Sequence, residues 1–226
     1  MAKSTELPAL PDTITIDTER TAVLIVDMQN AFASKGGMFH KVRGQFDARK
    51  IYNVIKANSR VIKAARGSRI PVVYLRHRYR PGLSNAGGPN SPNYFKEVGM
   101  SVMHKDRKLI GKFITAGTWD ANIVKELAPK RGDVIVDKSR YSGFVNTDLQ
   151  AILATHNSKY LIVSGIATNV CVESTIRDAF FREYFPILVR DGCAQVGPDY
   201  VQEATIWNVQ NLFGWVTTSN DVAKAL

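Results

Sequence analysis

Cysteine is nearly absent: the 226 residues hold two, Cys171 and Cys193. Two thiols cannot make a disulfide framework, and the CxxC spacing of metal and redox sites does not occur. Histidine is also sparse. His40, His77, His104 and His156 show no spacing that ligates a metal, so neither a metal nor any other cofactor is expected. No apolar run approaches the ~20 residues that a membrane helix requires. The opening MAKSTELPALPDTITIDTER lacks the apolar core of a signal peptide, so a cytoplasmic location and no membrane partner are expected. Clustered basic charge is missing too. The net charge is +10, yet Lys and Arg are scattered apart from Arg76, Arg78 and Arg80. With no nucleic-acid-binding module in the chain, no nucleic-acid partner is expected, and a basic surface that gathers small anions is the simpler reading.

What is present is a regular alternation. Hydrophobic residues make up 45% and charged residues 22%, and the length suits one domain with a continuous core. TAVLIVDM (21–28) is a β-branched run ending in an acid, the pattern of a buried parallel strand. Further strands are expected at 71–77, 133–138, 160–166, 186–194 and 215–218. Helices are expected at 47–66, 119–127, 146–156, 169–184, 198–210 and from 220, with Gly67 stopping the first and Asn146 or Thr147 capping the third. Residues 1–18 read as an irregular lead-in and 19–226 as a single domain. The Gly-, Pro-, Asn- and Ser-rich stretch at 78–108 is too long for a plain connection and reads as a substrate-covering loop. The expected fold is α/β: three layers, α/β/α, around a mainly parallel six-stranded sheet.

In such sheets ligands bind beyond the carboxyl ends of the strands. Asp27, Lys138 and the loop 165–171 all fall at such ends. Cys171 stands where a strand gives way to a helix that Thr168 or Asn169 can cap. There the helix dipole and free N–H groups favour a thiolate and can hold an oxyanion. Alternatively it is a small buried hydrophobe. Asp27 is either a general base or a loop-bracing acid, and Lys138 either orients that acid or packs its stem on the sheet. Cys193 has nothing nearby to activate it and reads as structural.

Three stretches, VLIVDMQNAF (23–32), DKSRYSGF (137–144) and GIATNVCVESTIRDAF (165–180), resemble the isochorismatase-like cysteine hydrolase superfamily in that superfamily's order. The resemblance spans about residues 20–220 and implies the Rossmann-like isochorismatase-like hydrolase fold. It also implies Asp27, Lys138 and Cys171 as a catalytic triad. A non-proline cis peptide would fall between Ile166 and Ala167, with the backbone amides of Ala167 and Cys171 as the oxyanion hole. The resemblance further implies a homodimer or homotetramer. The aromatic tail region (Trp207, Leu212, Phe213, Trp215) serves equally as interface or core.

Nicotinamidases of that superfamily carry metal ligands as Asp-x-His after the second strand. Here Arg76-His77-Arg78-Tyr79 has lost the carboxylate, so no metal is expected, and His77 reads as a pocket-wall group or a solvated loop histidine. The stretches AGGPNSPNYFK (86–96), SRYSGFVNT (139–147), IATNVCVEST (166–175), FFREYF (180–185) and NLFGWV (211–216) are most similar to ureidoacrylate amidohydrolases. They imply a hydrolase of non-peptide C–N bonds acting on a small ureido or amide substrate through a thioester. Gln29, Asn30, Arg76, His77, Asn93, Tyr94, Trp119 and Tyr141 are the candidate substrate-binding residues, with core packing as the alternative for the aromatics. LRHRYRPG (75–82) departs from that group. Its Arg76, His77, Arg78 and Arg80 would either clamp a carboxylate or donate to the carbonyls of biuret or triuret. Biuret or triuret hydrolysis, N-carbamoyl amino acid hydrolysis, isochorismatase-type vinyl ether cleavage and a non-enzymatic binding role are the alternatives.

Overall fold

The computed structural model describes residues 4–44 and 46–226. Strands β1 (Ser4–Leu7), β2 (Ile14–Asp17) and β3 (Thr21–Val26) come first. Two short helices follow, α1 (Asn30–Ala33) and α2 (Met38–Arg43), then the long helix α3 (Ala48–Gly67) and β4 (Val72–His77). Short helices α4 (Pro92–Lys96) and α5 (Val98–Met103) interrupt the long loop before β5 (Val134–Lys138). The rest alternates: α6 (Leu149–Thr155), β6 (Tyr160–Ile166), α7 (Glu173–Phe180), β7 (Phe185–Ala194), α8 (Asp199–Asn208), β8 (Trp215–Thr217) and α9 (Ser219–Ala225).

The main sheet has six strands in the order β5-β4-β3-β6-β7-β8, every pairing parallel. Side chains of β3 alternate between two cores, as a two-residue period requires. Val23 and Ile25 join the core under α3 and α9, whereas Ala22, Leu24 and Val26 join the core under α6 and α7. The expected three-layer α/β/α architecture is therefore the observed one. Among the described residues, no helix is long and apolar enough to cross a membrane.

Helix α3 begins where Asp47 accepts a hydrogen bond from the Lys50 N–H at 2.9 Å, and it buries Val54, Ala57, Asn58, Val61, Ile62 and Ala65. Asn58 is a polar pin within that face. Its amide donates to Val54 O and Gly192 O and accepts from Ser164 Oγ, which fixes the helix across β6 and β7.

Four local expectations are corrected. Residues 4–17 are not an irregular lead-in, because β1 and β2 pair as an antiparallel hairpin with Leu7 and Ile16 fully buried. The alternation in ITID was too short to stand out. Residues 119–127 form turns and a single 3-10 turn, Lys125–Leu127, rather than a helix. The backbone there is spent on other partners: Asp120 O and Asn122 O accept from Ala31 and Asn30 N–H. Helix α6 starts at Leu149, since Asn146 takes a left-handed φ of 55° that ends any helix there. Finally, the segment after β6 is a π-helical turn, Thr168–Val172, before α7 begins. Neither Thr168 nor Asn169 caps it: the Thr168 hydroxyl is buried without a partner, and Asn169 exchanges hydrogen bonds with Val196.

Candidate active site

The carboxyl ends of β3, β4, β5 and β6 meet at one point. Gly165 makes this approach possible. It sits opposite Val26 with φ +131°, and a Cβ there would come within 2.0 Å of Val26 O, so only glycine lets β6 close on β3 at this level. Asp27 follows Val26 directly and turns off the strand in a left-handed conformation, φ 50°, which aspartate tolerates better than most residues.

The Asp27 carboxylate is fully buried and meets three elements. Lys138 Nζ, at the end of β5, donates to Oδ2 at 2.7 Å, and the His77 N–H, at the end of β4, donates to Oδ1 at 2.9 Å. Cys171 Sγ, in the π turn, lies within 4.8 Å of one Asp27 oxygen and within electrostatic reach of Lys138. The three sequence-predicted residues are thus brought together. The lysine has a second acceptor in Arg140 O at 3.1 Å. Thr175 ties the surrounding loops into one unit: its hydroxyl donates to Cys171 O and accepts from the Gly143 N–H. The Ile166–Ala167 peptide is cis, where the sequence resemblance placed it.

Burial and charge oppose one another here. Burial raises the Asp27 pKa above the ordinary carboxylate range, while the Lys138 ammonium pulls it back. Burial also opposes the charge on Lys138, but Asp27 and then Cys171 outweigh it and its pKa is raised. The 2.7 Å contact between a donor-only ammonium and the carboxylate decides the matter, and the two form a buried ion pair. Cys171 differs from expectation. Burial pushes its thiol well above the usual 9, and Asp27 adds to the rise against Lys138, so the resting group is a thiol rather than a dipole-stabilised thiolate. Alkylation of Cys171 by iodoacetamide should therefore quicken about tenfold per pH unit and still be climbing beyond pH 9. A plateau below pH 8 would contradict this protonation state. Cys193 is also buried, with its thiol pushed up to about 12, in keeping with a structural role.

His77 is the fourth member of the cluster. One ring nitrogen of His77, one Asp27 oxygen and Cys171 Sγ all lie within 4.8 Å of one another. Burial, then Lys138 and Arg140, hold the imidazole neutral, and its Nε2 has no hydrogen-bond partner. Tyr141 stands within electrostatic reach of Cys171, with its hydroxyl on Lys96 O.

The other expected pocket residues serve different ends. Arg76 and Asp137 are register partners on β4 and β5, one residue before His77 and Lys138. Strand alternation sends them to the opposite face, where Arg76 binds Asp137 at 2.6 Å. Arg76 is therefore no clamp on a substrate at Cys171. Arg78 also binds Asp137, at 2.8 Å. Gln29 spends its amide on His77 O and Ala121 O and its carbonyl on the His77 N–H, so it braces the site without facing it. Asn30 binds Trp119 O and accepts from Ser34, while the Trp119 side chain is half exposed. Asn93 donates to Ala86 O and Tyr79 Oη, and Tyr94 packs on His104.

Sequence reasoning missed Glu97. This buried carboxyl accepts from Tyr79 Oη and from the Gly99 and Met100 N–H groups, and it lies within electrostatic reach of Lys138. Nothing in the surrounding loop sequence marks it. A cleft of about 340 Å³, lined in part by Phe32, Phe39, Ile166 and Ala194, reaches the residue joined to Ala167. A second cleft of about 440 Å³ lies at the amino ends of β6 and β7, away from Asp27 and Cys171.

An acid, an amine and a thiol gathered at the carboxyl edge of a parallel α/β sheet are the build of a hydrolase. The isochorismatase domain model matches residues 21–221, and the chain belongs to that family. Two relatives named ureidoacrylate amidohydrolase RutB are close in sequence. That of Rhizobium rhizogenes is 43% identical over 97% of this chain and 89% of its own, and that of Azorhizobium caulinodans is 44% identical over 97% and 96%. Among solved structures, a cysteine hydrolase from Pseudomonas syringae pv. phaseolicola 1448A superposes with a TM-score of 0.76 at 30% identity, covering 100% of this chain and 98% of that one. The N-carbamoylsarcosine amidase of Thermoplasma acidophilum, at 22% identity and TM-score 0.65 over 89% of this chain and 97% of its own, shares the fold.

Proposed function

We propose that this protein is a cysteine-dependent amidohydrolase that cleaves a C–N bond in a small ureido compound of the ureidoacrylate type, with no cofactor. The observation that carries the reading is the fully buried Asp27, paired with Lys138 at 2.7 Å and with Cys171 Sγ within 4.8 Å of its carboxylate. Identity of 43–44% over nearly the whole chain to proteins named ureidoacrylate amidohydrolase supports the substrate class.

Asp27 takes the thiol proton as Cys171 Sγ attacks the ureido carbonyl carbon. The carbonyl electrons move to oxygen, where the Ala167 and Cys171 N–H groups donate to the oxyanion. Asp27 then gives the proton to the departing nitrogen; the C–N bond breaks, ammonia or an amine leaves, and a thioester remains. A water deprotonated by Asp27 attacks this carbamoyl thioester, the C–S bond breaks to release a carbamate, and Asp27 returns the proton to sulfur to restore the thiol. Lys138 keeps Asp27 in place throughout and favours its ionised form in the resting enzyme and between proton transfers. His77, within 4.8 Å of Cys171 Sγ, and Tyr141, within its electrostatic reach, contact the planar urea.

A second reading is favoured by one observation: Arg76 and Arg78 are both engaged by Asp137 and so supply no clamp for a carboxylate. That suits neutral biuret or triuret. Parallel ammonia-release assays on ureidoacrylate, biuret, triuret, N-carbamoylsarcosine and nicotinamide decide between the readings. Ureidoacrylate is expected to lead in kcat/KM by about 10- to 200-fold, the range a few pocket contacts supply. Biuret or triuret ahead of it would select the second reading, and nicotinamide ahead of all would remove the ureido class.

The enzyme acts in the cytoplasm, a location in keeping with two free cysteines. It assembles as a homodimer or homotetramer, which exposed Phe181, Trp207 and Leu212 favour as surface that a second copy would cover.

A further inference from the structure

We propose that Asp27, His77 and Cys171 form an inhibitory site for a borderline-soft divalent cation, zinc in particular. Each offers one ligand atom, and the three atoms lie within 4.8 Å of one another, all from buried residues. Zinc bonds of about 2.0–2.3 Å to nitrogen, oxygen and sulfur place tetrahedral ligands roughly 3.3–3.8 Å apart. Small side-chain rotations close the difference. The second observation is His77 itself: the residue is 99% out of solvent's reach at 1% exposure, and its Nε2 has no hydrogen-bond partner. A buried imidazole nitrogen left without a partner is uncommon and asks for a ligand. The donor set of thiolate, imidazole and carboxylate suits zinc and discriminates against magnesium and calcium, which prefer oxygen alone.

Lys138 does not bar the cation. Binding ionises Cys171, which lies close enough to Lys138 to act as its counter-charge when the cation takes the carboxylate, and Arg140 O at 3.1 Å keeps a hydrogen bond on Nζ, so no buried charge is left uncompensated. Binding releases the thiol proton to solvent and leaves the fourth position to water. The bound cation occupies the sulfur and the carboxylate together, so it blocks the site rather than assisting chemistry. This inference needs only the positions of three ligand atoms and stands whether or not Cys171 is the nucleophile of the proposed reaction.

The test is an anaerobic titration of the whole protein with cobalt(II) as a spectroscopic substitute, followed by displacement with zinc. One equivalent should produce a thiolate-to-cobalt charge-transfer band, which zinc removes. Cys171→Ala should lose the band. His77→Gln should bind at least about tenfold more weakly, because removing a direct ligand costs no less than the 10- to 100-fold typical of outer-shell changes. His156→Gln, a remote surface control, should bind as the unaltered protein does. Zinc, but not magnesium, should also protect Cys171 from alkylation, with a chelator restoring it. No thiolate band in the unaltered protein would overturn the proposal, and that measurement stands even if His77→Gln does not fold. A band that survives Cys171→Ala, or undiminished affinity in a folded His77→Gln, would overturn it as well.

Discussion

Cys171→Ser is expected to lower kcat/KM on the best ureido substrate by about 10⁴-fold or more while leaving the fold intact, since nucleophile replacements of this kind cost up to roughly 10⁶. The side chain is 6% exposed and the change is one of chemistry more than of volume, so near-UV circular dichroism and the melting temperature should barely move. The loss has two sources. A serine hydroxyl is a far poorer nucleophile than sulfur at any accessible pH, and Asp27 is held by Lys138 as an ionised base too weak to deprotonate it. Mass spectrometry of the unaltered enzyme quenched during turnover should find an adduct on the peptide carrying Cys171, and none in Cys171→Ser. Activity retained within tenfold would remove sulfur from the mechanism.

That the three residues would meet was legible from the sequence for a simple reason. A parallel strand buried on both faces reads as a β-branched run, and its end is marked by the first polar residue. Asp27 declares itself in this way, whereas Lys138 follows Asp137 at the end of the part-exposed β5. Lys138 and Cys171 were placed by their position at a predicted strand end and by the family resemblance. What was not legible depended on direction rather than position. Arg76 and His77 are neighbours in the chain, yet alternation sends one to Asp137 on the outer face and the other to the cluster. Only the register of β4 against β5 decides which. Gln29 and Asn30 carry the amides expected of a substrate pocket, but long-range partners, His77 O, Ala121 O and Trp119 O, consume them.

The π turn was hidden because it differs from an α-helical turn by one residue of hydrogen-bond reach, which nothing in TNVCV (168–172) marks. The extra residue arises where Val172 N–H reaches back to Ala167 O, a consequence of how the turn leaves β6. The raised thiol pKa was hidden for an allied reason. Sequence places Cys171 near a helix start, where the dipole lowers a pKa, but only the packed structure reveals that burial dominates. A thiol that waits protonated beside an ionised acid keeps its proton until substrate arrives, and this protects it from chance alkylation and oxidation.

Lys138→Met is expected to damage stability and activity together, and Asp27→Asn in the same chain is expected to repair only the first. Breaking a buried pair by removing one partner typically costs about 3–5 kcal/mol, because the other charge is left without compensation. Here both side chains are 0% exposed, so Asp27 would have no water to turn to. In the double variant no charge remains to be desolvated, and most of the lost stability should return, a favourable coupling of about 1–3 kcal/mol in a double-mutant cycle. Turnover should stay down by 10²-fold or more in Lys138→Met, in Asp27→Asn alone and in the double variant, on the order of what one electrostatic contact supplies in an active site.

The pH dependence gives the cycle its sign. Burial is the largest influence on Asp27 and raises its pKa above the ordinary 3.8, with Lys138 the main restraint. Without the ammonium the folded-state value climbs further. A carboxyl with a raised folded pKa favours the fold fully only below its unfolded value, and that contribution is lost as pH rises through the folded one. The deficit of Lys138→Met relative to the unaltered protein should therefore be smallest near pH 4 and widen toward pH 8. Denaturant unfolding across that range measures it. A deficit that stays flat with pH would mean that Asp27 does not carry the buried charge, and the acid on which the proposed proton transfers depend would have to be sought elsewhere.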